Sequence, residues 1–172
     1  MPEPQRRLHD PLKALADDDG SADPAVRQAL AASVSAPSTE SYLAALAALC
    51  GTRLLTPIVA VGEQGPGGGD KSADMSAVLL SDAAGRRAML VFTGVDSLQR
   101  WDARARPVPA TLDKVAEAAL AQDAVALLVD LEGPHPVVLE QPLLGELARS
   151  RRLVALPDGG FGWMQAGGGD PS

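Results

Sequence analysis

One cysteine, two histidines, five aromatic residues and three lysines are all that this 172-residue chain holds of those types, and each scarcity removes a class of chemistry. A lone Cys50 rules out an intramolecular disulfide framework and suits a reducing cytoplasm. No neighbouring Lys or His lowers its pKa, and its place before Gly51 at the end of an Ala/Leu-rich stretch predicts a packed thiol, not a nucleophile. His9 and His135 belong to no cluster with metal-ligand spacing, so neither zinc nor another metal is expected. The chain has no G-x-S-x-G elbow that could recruit His135 for Ser-His-Asp catalysis. No apolar run reaches transmembrane length, and the first thirty residues are charged and Pro-containing without an apolar h-region, so neither a membrane span nor a secretory signal is expected. The net charge of −7 lacks the basic excess that general nucleic-acid binding needs. Arginine outnumbers lysine twelve to three amid abundant Ala and Gly, a pattern that reads as GC-rich codon bias more than as arginine chemistry.

What remains is architecture. Val78 to Asp102, VLLSDAAGRRAMLVFTGVDSLQRWD, reads as a β-hairpin feeding a helix, with Thr93 and Asp96 at S/T-x-x-D capping spacing. Upstream, Asp23-Pro24 predicts an N-cap followed by proline at N1, and Ser38 opens a second helix that closes at Gly51. Leu54 to Val61 has the length and apolarity of a strand, which Pro57 pushes toward an edge or a bulge. From Thr111 onward, Leu112, Val115, Ala116, Ala119 and Leu120 space out a buried helical stripe. Ala124 to Leu131 is the most hydrophobic strand and the expected centre of the sheet. Val137 to Leu139 forms a further strand, a helix runs from Pro142 to Arg149, and the final GFGWMQAGGGDPS is expected to finish in a tail. The fold class is therefore α+β or α/β, with a mixed sheet of about five to six strands and helices packed against it. Residues 1–22 are expected to form a mobile acidic, Pro-containing tail, 23–164 a single domain, and 165–172 a flexible Gly-rich end.

The chemical motifs are near misses. Gly65-Pro-Gly-Gly-Gly-Asp70-Lys71-Ser72 almost spells a phosphate loop, but Asp70 replaces the final glycine and a strand, not a helix, follows. Lys71 and Asp74 flank a strand start and are candidate ligand-orienting groups, or else a solvated ion pair. Asp130 and Glu132, at i and i+2, could share a face for acid-base work, with His135 nearby. Arg149, Arg151 and Arg152 are expected to complement the end of the last helix. Trp101, between Arg100 and Asp102, is either a lid on the core or an interface anchor; Phe92 is expected in the core; Phe161 and Trp163 either pack back on the sheet or dock a partner.

Taken together, Asp70-Lys71-x-x-Asp74-Met75, GRRAMLVFTGVDSLQRWD, ARPVP and AVALLVDLEGP resemble the SseB N-terminal-domain family, in its actinobacterial branch, over about Ser38 to Leu147. Phe92-Thr93 followed by Trp101 is the most specific part of the resemblance. The family is named for an enhanced-serine-sensitivity phenotype and implies no reaction, cofactor or catalytic residue, so the resemblance bears on fold and cytoplasmic location. A sulfurtransferase activity is not implied, because Cys50 precedes only Gly51, Thr52 and Arg53 instead of heading an anion-cradling loop. The expectation is a non-catalytic cytoplasmic interaction or regulatory module, without cofactor, that binds an unidentified protein partner. Its candidate residues are Lys71, Asp74, Phe92, Thr93, Trp101 and Trp163. The alternative is a small-metabolite, amino-acid-sensing domain using Lys71, Asp74 and polar strand ends.

Overall fold

The computed structural model describes residues 17–60 and 75–166. Asp23 caps helix α1 (Pro24–Ser35), its carboxylate accepting from the Ala25 amide at 2.8 Å. Ser38 and Ser41 satisfy each other's orphan amides in a capping box that starts α2 (Thr39–Cys50), and Gly51 ends it. β1 (Arg53–Ala60) then pairs antiparallel with β2 (Met75–Ala77) and with β5 (Arg106–Thr111), so the order is β2-β1-β5. β1 is therefore central, not an edge. Pro57 is tolerated there because it faces Pro107, and β2 joins only from Ile58 onward. The Leu55 amide bonds Phe92 on the side away from β5; two residues on, Pro57 aims its missing donor to that side, before the β2 ladder begins.

The second ladder is mixed. β3 (Leu79–Ser81) and β4 (Arg87–Val91) form the expected hairpin, β6 (Ala124–Val129) runs parallel to β4, and β7 (Val137–Glu140) returns antiparallel, giving β3-β4-β6-β7. Between β4 and β6 lie α3 (Val95–Trp101), β5 and α4 (Leu112–Ala121). A bridge between Leu55 and Phe92, with bonds of 2.7 and 2.9 Å, links the two ladders where a single sheet was expected. After α5 (Leu143–Ala148), the chain forms a third ladder, a hairpin of β8 (Arg151–Ala155) and β9 (Phe161–Gln165). Arg151 and Arg152 thus belong to a strand instead of a helix end, and Phe161 to Gln165 are not tail. The architecture is α+β. No helix among the described residues is long and apolar enough to cross a membrane.

One face of the β3-β4-β6-β7 sheet carries Met89, Val91, Leu127, Val129, Val137 and Leu139 into the main core with α1, α2, α4 and α5. Burial of such side chains contributes about 1.5–3 kcal/mol each and dominates the stability. Among the described residues, the opposite face is covered at one end only, by a smaller cluster of Leu55, Leu90, Phe92, Leu98 and Ala105.

Candidate functional site

Because β4 and β6 are parallel, their carboxyl ends emerge together, the place where open α/β sheets commonly build sites. Asp130 turns the chain there in the left-handed region, φ 53°, and its side chain is 1% exposed. One carboxylate oxygen accepts from the Thr93 amide at 2.8 Å and the Ser97 hydroxyl at 2.7 Å; the other accepts from the Thr93 hydroxyl at 2.6 Å. Arg27 closes the cluster from α1. Its Nε donates to Thr93 Oγ1 at 2.7 Å and stands 3.6 Å from Asp130, while its terminal nitrogens grip Asp96. Thr93 is thus no helix cap: Gly94 takes that position, and the hydroxyl bonds the buried carboxylate instead. Charge-assisted bonds of this kind are the strong ones, and these lie in a low-dielectric setting. The carboxylate serves as a clamp, its acceptors taken by the chain's own donors. Glu132, two residues on, is exposed and does not join it.

Residues 18–22, within the expected tail of 1–22, are fastened beside this cluster. Arg53 grips Asp18 with two nitrogens and donates to the Thr93 and Ser21 carbonyls at 2.7 Å each. The guanidinium holds the Asp18 carboxyl below the usual carboxylate range. The Val95 amide donates to the Gly20 carbonyl at 2.7 Å. Gly94 is required by closeness: a Cβ there would lie 2.8 Å from the Ala22 nitrogen.

The predicted site residues separate. Phe92 is fully buried against the half-buried Trp101, ring centroids 5.8 Å apart, and Thr93 is buried beneath Arg27. The stretch from Phe92 to Trp101, expected as a docking face, is largely interior, because it lids the smaller core cluster. Trp163 sits elsewhere, half-buried on β9 against the main core with the Arg151 guanidinium 6.0 Å from its ring. Lys71, Asp74 and the Gly-rich loop lie outside the described residues. Cys50 is buried, and burial pushes its thiol up, away from reactivity.

The feature that sequence inspection missed is the uncovered end of the β3-β4-β6-β7 sheet. Leu80, Val125 and Val138 are 38%, 41% and 45% exposed there, around a depression of about 290 Å³ that Ala88, Ala126 and Leu128 also line. Arg86 and Arg87 border it at the β3-β4 turn, and Glu140 borders it on β7. Cross-strand pairing puts Leu80 beside Ala88, Ala88 beside Ala126 and Leu128 beside Val138, so these apolar side chains run across the four strands. The signal was present in VVLE and LLS, whose strands lie at the two edges, but it reads as exposed only once the sheet order is known.

Neither curated proteins nor solved structures give a match. The model of the SseB protein N-terminal domain, by contrast, matches residues 26–159, from α1 to the β8–β9 turn. A match over that span establishes that the chain belongs to the SseB N-terminal-domain family.

Proposed function

We propose that this domain is a non-catalytic cytoplasmic interaction or regulatory module that holds a protein partner on the open end of the β3-β4-β6-β7 sheet. The observation that carries the proposal is the exposed apolar surface of Leu80, Val125 and Val138 around one depression, which Asp82, Arg86, Arg87 and Glu140 also line. Such patches, rimmed by polar groups, mark interaction sites. Sheet edges at β3 and β7 flank the patch and add backbone groups that a partner strand can pair. The interior polar groups support the same reading, since the Asp130 carboxylate is spent on internal bonds and Cys50 is buried.

Quantitative affinity purification of the tagged protein from its own cells, beside Val138→Glu, tests the proposal. The expected result is a stoichiometric partner that is lost in Val138→Glu while the unfolding midpoint stays put. A partner retained by the variant, or no partner at all, would overturn it.

A further inference from the structure

Two adjoining cavities share no lining residue with the open sheet face. The first is a trough of about 560 Å³ between α2 and the β8–β9 hairpin, floored by Ala44, Ala47 and Ala48 and walled by Leu153, Phe161 and Met164. The second, about 440 Å³, lies between residues 18–23, the start of β1 and the junction of β5 with α4. Cys50, Gly51 and Arg152 line both, so the two spaces meet at a common waist. Each volume falls in the roughly 300–1,000 Å³ range of small-molecule sites.

The charged groups that line the second cavity are not equivalent. Arg53 is spent on Asp18 and two backbone carbonyls, and Asp23 caps α1. Arg152 is different: its side chain is 42% exposed, and its nearest carboxylate, on Asp113, stands 3.7 Å away. A guanidinium carries five donors in a planar fork that matches a carboxylate.

We propose that the two cavities form one binding site for an amphipathic monocarboxylate, its head group on Arg152 and its alkyl chain in the alanine-floored trough. A single negative charge suits the position better than a phosphate, because Arg152 is already paired with Asp113, and Asp18 and Asp23 line the same cavity. An aliphatic chain suits the trough because methyl and branched aliphatic groups make up most of its wall.

The test is titration calorimetry of the full chain with hexanoate, octanoate and decanoate, with octanol as the uncharged control. Arg152→Gln and Ala47→Phe are compared, each checked for an unchanged unfolding midpoint. The expected result is saturable binding that tightens with chain length, is weakened at least about tenfold by Arg152→Gln, and is abolished by Ala47→Phe, which fills the trough. The proposal is overturned if no acid binds below about 5 mM, if octanol binds as well as octanoate, or if both variants bind as the natural chain does.

Discussion

The hydroxyl of Thr93 and the carboxylate of Asp130, 37 positions apart in sequence, lie 2.6 Å from each other in the interior, joining the carboxyl ends of two parallel strands. Removing the acceptor strips the Thr93 amide and the Thr93 hydroxyl of the group they donate to, leaves the Ser97 hydroxyl only the Gly94 carbonyl, and leaves Asp96 as the carboxylate on Arg27. Asp130→Ala is expected to cost about 3–5 kcal/mol in urea unfolding. Asp130→Asn, which keeps one acceptor and tolerates a positive φ, should cost less. Equal costs would contradict the clamp, because Asn keeps both an acceptor and the tolerance of a positive φ that Ala lacks.

Asp18 gives a pH dependence of defined sign. Its folded pKa is depressed by the Arg53 bond, so its contribution is complete above the ordinary carboxylate pKa of about 4 and drains away as pH falls through the lower folded value. Asp18→Asn should therefore be less stable by about 1 kcal/mol at neutral pH, with the gap closing below about pH 4. Hydrogen exchange at the Val95 amide, bonded to Gly20, reports the release locally. A gap that is independent of pH would contradict the assignment.

Cys50 should react with iodoacetamide much more slowly in the folded protein at pH 7.5 than in urea, because burial raises its thiol pKa and leaves it only 7% exposed at the cavity wall. Alkylation at the rate of a free thiol without denaturant would place the thiol at the surface.

Neighbouring valines on β7 separate core from open face. Val137→Thr, on the buried side, should lose about 1–2 kcal/mol. Val138→Thr should stay within about 0.5 kcal/mol of the natural chain. Thermal or urea unfolding of the two variants measures the contrast, and equal losses would mean that both faces are packed.

Local chemistry carried much of the fold. Asp23-Pro24, the Ser38 cap and the stripe from Leu112 to Ala119 all act within one or two turns, and each formed where its spacing predicts. Thr93 misled because a buried carboxylate far along the chain outbid the local helix end for its hydroxyl, a tertiary override of a capping signal. The β8–β9 hairpin is weakly signalled because Arg149, Arg151 and Arg152 also suit a helix end, although Pro157-Asp158-Gly159 is turn chemistry and Gly159 takes φ 88°. The open apolar face depends on which strands neighbour which, a relation among β3, β4, β6 and β7 that no single segment encodes.

The proposed docking face is tested most directly by a photo-crosslinking amino acid placed in turn at Val138, at Leu80 and, as an exposed control on α4, at Glu117 in the native cell. The proposal predicts one discrete adduct of the same added mass from Val138 and Leu80 and none from Glu117. No adduct from the two sheet positions, or the same products from all three, would contradict it.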